Sequence, residues 1–357
     1  MKTFKIKLKT LSPIHIGTGL VIEPTEFFID PKKRCLSVIN FEKLCRHFTE
    51  EEITKFKKLC LSGNIRNLIE LYKLTDQICE RAISRGHEKE IVIKRIPAVS
   101  DFIQHYKSIT ESGDVNLFNK FEIQRTYRLP NWGPPVIPGS SLKGAIRTAV
   151  LNFYAKKLKD RNLQKYRKGK RYDSRELEKE ILKYKLPKDD PFSCVKVSDF
   201  LPVKAKVCIV HALNLKKYGN ATPRIPQIFE VIAPNSEFTG KITITEKSIC
   251  NLKIDMELIL KALDEFYGKI YKEESEILAK IQGVKALPFT EGHIIRLGKH
   301  SGAESVTIEG FRAITIRAKG KNRTGKEATT IWLASDARKA KDSKWFAPFG
   351  WATLDVE

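Results

Sequence analysis

Residues 2–11 alternate, with Phe4, Ile6 and Leu8 on one face and Lys5, Lys7 and Lys9 on the other. This period of two predicts a half-buried strand. The chain then enters Ser12-Pro13-Ile14-His15-Ile16-Gly17-Thr18-Gly19, a turn-rich stretch that reads as a loop. Short strands are predicted at 25–30 and 34–39, around the turn Asp30-Pro31-Lys32-Lys33. From about 41 to 125 the pattern becomes helical and polar. Glu50-Glu51-Glu52 supply acidic charge at a helix start, and Leu68, Ile69, Leu71, Tyr72 and Ile78 suit a buried face. This stretch reads as a helical insertion between elements of the first sheet.

Pro130-Asn131-Trp132-Gly133-Pro134-Pro135 forms a rigid turn before Val136-Ile137, a predicted short strand. After Pro138-Gly139, either Ser140 or Ser141 is placed to cap a helix. Leu142, Ile146, Ala149, Val150 and Phe153 follow on one apolar face, while Lys143 and Arg147 lie one turn apart on another. The basic run 156–171 contains a single acid, Asp160, so 156–190 is expected to be an exposed connection. A second β-rich block follows, with strands near 194–200, 205–213, 226–232 and 237–245. Met256, Ile259, Leu260, Leu263, Phe266, Tyr267, Ile270 and Tyr271 keep helical spacing, extended by Ile277, Leu278 and Ile281. Strands are then expected near 291–297, 305–317, 329–334 and 347–354. The pattern is that of a β-rich α+β protein of two modules, 1–204 and 205–357.

Composition is ordinary for a globular chain: 41% hydrophobic and 30% charged over 357 residues. Charge changes the picture. Lys and Arg total 65 against 42 Asp and Glu, a formal +23 with a pI near 9.6, which favours a polyanionic partner. The apolar runs are broken before the ~18–20 residues of a spanning helix, and the N-terminal alternation has no signal-peptide core. The seven cysteines at 35, 45, 60, 79, 194, 208 and 250 include no Cys-x-x-Cys pair. A reduced, cytoplasmic protein without disulfide framework, metal site or cofactor is expected.

Four places could carry chemistry. The start of the helix near Gly139, with unpaired N–H groups, Ser140, Ser141, Gly144, Lys143 and Arg147, suits a phosphate, or is simply a well-capped helix in which Gly144 permits close packing. The Gly-x-x-x-x-Gly-Lys-Ser/Thr spacing of an ATP-binding loop is missing. Arg296-Leu297-Gly298-Lys299-His300-Ser301-Gly302 combines glycines with cations suited to phosphate, or is a flexible turn. No Gly-x-Gly-x-x-Gly fingerprint supports a dinucleotide. His15, between Ile14 and Ile16, is a general acid/base or a hydrogen-bonded structural residue. Near the C-terminus Arg312, Arg317, Lys319, Lys321, Arg323 and Lys326 lead to Trp332, Trp345, Phe346, Phe349 and Trp351. Cations neutralise phosphates while rings stack on bases. Core packing is the competing role for Trp332 and Trp351, and the Arg317–Lys326 run, with Arg317, Lys319, Lys321, Arg323 and Lys326 and no acid, reads as an RNA-facing loop.

Three of these segments together resemble the RAMP superfamily of CRISPR proteins: 11–19 after the first strand, Val136-Ile137-Pro138-Gly139-Ser140-Ser141-Leu142-Lys143-Gly144-Ala145-Ile146-Arg147, and the loop at 298–302. The long insertion, Val197-Ser198-Asp199 and Pro348-Phe349-Gly350-Trp351 resemble the branch that caps the type III-A (Csm) interference complex. The resemblance implies two ferredoxin-like (RRM-like) modules and a non-catalytic subunit holding the 3′ portion of the CRISPR RNA. It implies further contacts with other Csm subunits, especially the filament backbone subunit, and with target RNA. The RNA path would run over His15, Gly17, the Gly139–Arg147 junction and residues 296–302. Two departures stand out. Lys299-His300-Ser301 separate Gly298 from Gly302 where the family often has Gly-x-Gly. Where backbone subunits carry a catalytic Asp, this chain reads Glu23-Pro24-Thr25-Glu26-Phe27-Phe28-Ile29-Asp30, and Glu26 is assigned no catalytic role. The competing reading is a metal-independent endoribonuclease processing precursor CRISPR RNA, with His15 or His300 as acid/base.

Overall fold

In the computed structural model, all residues are described except 31–32, 114, 116–120, 159–165, 170, 218–225, 246–251, 285, 289–290 and 319–320. The N-terminal part contributes β1 (Lys2–Thr10), β2 (Gly17–Ile22), β3 (Phe27–Asp30) and β4 (Cys35–Ile39). Helices α1 (Phe41–Leu44), α2 (Glu50–Leu61), α3 (Ile65–Ser84) and α4 (Glu88–Ile91) follow, then β5 (Val92–Pro97), α5 (Ser100–Ser112) and β6 (Ile123–Thr126). Next come α6 (Gly139–Ala155), the small hairpin β7 (Arg167–Lys168) and β8 (Arg171–Tyr172), and α7 (Ser174–Leu182). The chain continues through β9 (Val195–Val197), β10 (Leu201–Lys204), β11 (Val207–Lys216), β12 (Gln227–Ile232) and β13 (Glu237–Ile244). It ends with α8 (Met256–Leu263), a π-helical turn, α9 (Lys269–Leu278), β14 (His293–Arg296), β15 (Ile314–Ala318), β16 (Lys321–Gly325), β17 (Thr330–Ser335), β18 (Phe346–Pro348) and β19 (Trp351–Val356).

Two six-stranded sheets organise these elements. The first runs β10-β13-β1-β19-β14, with β9 also on β13, and the second β18-β17-β11-β12-β6-β2. As its alternation requires, β1 buries Ile6 and Leu8, which pack with Leu142, Ile146 and Ala149 of α6 and with Ile259 and Leu263 of α8. The second sheet is buried on both faces, so β11 shows almost no polar alternation. Ile209 and Ile228 face the core of the insertion, while Val210, Phe229 and Phe349 share another cluster. Strands from both sides of residue 204 share each sheet, so the boundary at 204/205 does not give each segment a sheet of its own.

Three local expectations change. The insertion contains β5, which completes a three-stranded sheet β3-β4-β5 under α3 and α5, and β6, which joins the second large sheet. Residues 17–19, the end of the stretch read as a loop, open an edge strand, Gly17–Ile22, against β6; Gly17, Thr18 and Gly19 are exposed and leave no alternation to read. Residues 156–190 are not wholly exposed, because Leu177, Ile181 and Leu182 of α7 are buried in the core that holds α6. Of the strand expected at 305–317, only 314–318 is extended; Glu304–Val306 is a 3₁₀ turn. Val136-Ile137 forms a single antiparallel bridge from Ile137 to Phe200, not a strand.

Candidate nucleic-acid interface

The loop after β14 is folded onto the segment after β1. The Lys299 N–H donates to the His15 carbonyl at 2.8 Å, and Gly350 N–H donates to Pro13 O at 2.9 Å, so 298–302 is held between 13–15 and the turn before β19. Gly298 adopts φ +81°, and a Cβ there would lie 2.4 Å from the His15 carbonyl oxygen. Only glycine fits that approach. Gly298, Lys299 and Gly302 are exposed, while His300 is half-buried with φ +66° and stacks on Trp332 at 4.2 Å. Lys299 Nζ stands 5.0 Å from the Phe229 ring, whose face and edges also meet His15 and His300. Phe229 is fully buried, so it supports the loop from beneath, and the exposed Lys299 above it is the group left open to a phosphate.

His15 itself is 1% exposed. Its Nδ1 donates to the Glu230 carbonyl at 2.8 Å, because a carbonyl can only accept. Burial, then the nearby Lys299 charge, push the His15 pKa down to about 3. The same causes, with His15 added, bring His300 to about 3. Both rings are neutral near pH 7 and poor proton acceptors, so they do not supply the acid/base pair of a nuclease. Arg296 and Ser301 likewise differ from expectation. Arg296 is 3% exposed, donates to Glu274 and to Phe349 O, and stacks on Trp351 at 4.6 Å. The Ser301 hydroxyl turns back to the Gly298 carbonyl. Both build the loop from behind and present no group to a ligand.

At the start of α6, the N-cap position is Pro138 and neither Ser140 nor Ser141 makes a side-chain cap bond. Gly139 N–H instead donates to Asp199 Oδ1 at 2.8 Å, so a carboxylate already occupies one of the anion-seeking groups. A Cβ on Gly139 would come within 2.4 Å of Val197 O, which is why α6 begins on glycine. Ser140 and Gly144 are exposed and Ser141 and Lys143 half-buried. Arg147 is committed elsewhere: its guanidinium pairs with Glu178 and Asp190 and lies 4.8 Å over Phe192, clamping α6 to α7 and to the turn before β9. In the β15–β16 hairpin, Arg317 stands opposite Asn322 and Arg323 opposite Ile316, both arginines exposed. Lys321 belongs to β16 by its backbone, and Lys319 lies outside the described residues. Exposed Glu26 caps its own turn by accepting from Glu23 N–H. No helix among the described residues is long and apolar enough to cross a membrane.

The model of the RAMP superfamily matches residues 7–295, most of the chain. The chain belongs to the RAMP superfamily. Among curated relatives, it is 28% identical over 330 residues to the CRISPR system Cms protein Csm5 of Streptococcus thermophilus, covering 86% of this chain and 80% of that one. It is also 28% identical over 224 residues to the protein of the same description from Methanocaldococcus jannaschii, covering 58% of this chain and 45% of that one. Its fold is similar to a chain in the cryo-EM structure of a Csm-crRNA-target RNA ternary complex of a type III-A CRISPR-Cas system, with TM-score 0.63, 21% identity and coverage of 99% and 100%. The crystal structure of T. onnurineus Csm5 superposes with TM-score 0.57 at 20% identity, covering 97% and 99%.

In this RAMP chain, sequence reasoning missed three contributors. Asp199 sits in a named segment, but nothing local shows that it meets Gly139. Phe229, fully buried, supports Lys299 and the His15 and His300 rings from within the core, a role that periodicity in a continuous apolar strand does not reveal. Tyr127 is 39% exposed and its N–H donates to Ile16 O at 2.7 Å, which holds this exposed aromatic residue beside the Ile16-Gly17 backbone. The signal for it was present in Arg125-Thr126-Tyr127-Arg128, a basic-aromatic interleaving like the one noted near the C-terminus. Arg128 is nevertheless inward, paired with Glu230, and burial brings its pKa down to about 10.

Proposed function

We propose that this chain is a non-catalytic subunit of a type III-A (Csm) effector complex that holds the CRISPR RNA on its 3′ side, next to the filament backbone subunit and within reach of target RNA. The observation that carries it is the glycine loop at 298–302 locked onto His15, with exposed Lys299 above Phe229 and the His300–Trp332 stack. The site offers charge, backbone and rings but no titrating base, which is what holding a strand without cutting it requires. A protein that accepts many guides reads phosphates rather than bases. The relatives named above and a formal charge of +23 support the same reading.

Within the proposal, RNA is met by Gly17, Ser140, Ser141, Lys143, Gly144, Gly298, Lys299, His300, Gly302, Arg317 and Arg323, with Tyr127 added. His15, Gly139, Arg147, Arg296 and Ser301 act by shaping those contacts. The two large sheets are read as two ferredoxin-like modules carrying the helical insertion; the pair of six-stranded sheets supports this, with modules interleaved along the chain. The test is a titration of single-stranded RNA with the assembled complex and with the isolated chain at several salt concentrations. Affinity should fall with log–log slope of about −0.7 per phosphate contact. A flat response, or no contribution of this subunit to RNA protection, would overturn the reading.

A further inference from the structure

Within the insertion, three side chains of metal-ligand type come together. His47 ends the 3₁₀ turn Cys45–His47, His87 is the N-cap residue of α4, and Glu90 lies in α4. His47 Nε2 is 3.7 Å from Glu90 Oε2, and His87 Nδ1 is 3.4 Å from the same oxygen. The two imidazoles are 4.6 Å apart, and the three ligand atoms all lie within 4.8 Å of one another. Bonds of ~2.0–2.1 Å in a tetrahedral site place ligands about 3.3 Å apart. The cluster needs only small side-chain rotations to reach that geometry.

We propose that His47, His87 and Glu90 bind one divalent transition-metal ion, Zn²⁺ by the chemistry of the donors, and so tie the turn after α1 to the start of α4. The donor set is two imidazoles and a carboxylate, which suits Zn²⁺ rather than Mg²⁺ or Ca²⁺. His47 Nε2 is buried and has no hydrogen-bond partner among the described residues. A buried ring nitrogen without a partner is costly, and a metal bond removes that cost. The site is anchored on both sides. Arg81 donates to His47 O at 2.8 Å, and Glu90 N–H and Ile91 N–H both donate to His87 O. Arg46 lies 3.8 Å from Glu90 but is 65% exposed, free to swing aside. Half-open His87 and Glu90 leave room for water as the fourth ligand.

The experiment uses the untagged full-length chain, stripped with chelator and titrated with Co²⁺ and then Zn²⁺. One equivalent of Co²⁺ should give the absorption of a tetrahedral nitrogen–oxygen site without a thiolate charge-transfer band, and one equivalent of Zn²⁺ should displace it. Zn²⁺ at a hundredfold excess over its dissociation constant should raise the melting midpoint by about 3 °C. His87→Ala, at an exposed position with no capping bond, and Glu90→Gln should each weaken binding more than about 100-fold, since even outer-shell partners are worth 10–100-fold. Cys45→Ser should leave binding unchanged. Absence of saturable uptake, uptake insensitive to His87→Ala and Glu90→Gln, or loss of uptake in Cys45→Ser would each overturn the assignment.

Discussion

Gly298 stands so close to His15 that a side-chain carbon on it would meet the His15 carbonyl oxygen at 2.4 Å. Two segments far apart in the chain are thereby fixed to each other by backbone alone. Gly302, with φ +78°, has no neighbour closer than 3.5 Å to an added Cβ. Gly302→Ala should therefore cost only the left-handed backbone term, about 1–2 kcal/mol. Gly298→Ala adds the clash and should cost on the order of 3 kcal/mol or more. Urea denaturation of the two variants compares them directly; equal losses would show that the contact with His15 is not tight.

Arg296 and Glu274 form a pair at the back of the same loop, with Trp351 Nε1 donating to Glu274 at 2.9 Å. Arg296→Ala leaves the buried Glu274 carboxylate without its cation, and Trp351 without the guanidinium over its ring, and should destabilise the chain by about 3–5 kcal/mol. The double variant Arg296→Met, Glu274→Leu should lose less than Arg296→Ala alone, because no buried charge remains. Thermal or chemical unfolding of both measures the coupling.

The low pKa of His15 gives a pH dependence of definite sign. Unfolded, the ring takes up a proton below about 6.5; folded, it does so only below about 3. Between these values the unfolded chain binds the extra proton, so stability falls as pH is lowered from 6.5, by about 1.4 kcal/mol per pH unit for this group in mid-window. His300 acts in the same direction. His15→Gln should flatten the stability profile between pH 4 and 6.5 relative to the parent, as read by urea midpoints. RNA affinity from pH 6 to 8 should show no titration assignable to either ring.

The cations divide into two groups. Lys299, Arg317 and Arg323 are exposed, and replacing each with Ala should lower the salt slope of RNA binding by about 0.7 while leaving stability within about 0.5 kcal/mol. Arg147, held by Glu178 and Asp190, should behave oppositely: Arg147→Ala should reduce stability by on the order of 1–3 kcal/mol, with any RNA effect following from the loosened α6–α7 contact. Salt-series binding paired with unfolding curves separates the two groups.

Periodicity and charge made much of this legible without coordinates. The alternation of Phe4, Ile6 and Leu8 marked β1, the spacing from Leu142 to Phe153 marked α6, and the Lys and Arg excess pointed to a polyanion. These are local or summed properties, so the order of residues carries them directly. The start of the edge strand Gly17–Ile22 falls inside the loop read at 12–19, because Gly17, Thr18 and Gly19 are exposed and offer no apolar face. Paired cysteines are the local mark of a zinc motif, whereas His47, His87 and Glu90 are drawn together from two turns 40 residues apart.

What only the tertiary structure decided is who meets whom. A basic residue looks the same in sequence whether it faces solvent, as Arg317 does, or a buried carboxylate, as Arg296 does. The chain alone determined the apolar faces of β1 and α6 and the net positive charge. The fold chose the partners: Asp199 for Gly139, Glu178 and Asp190 for Arg147, the His15 carbonyl for Lys299. Each is a long-range contact whose energy depends on distance and burial, quantities that arise only once the chain has folded.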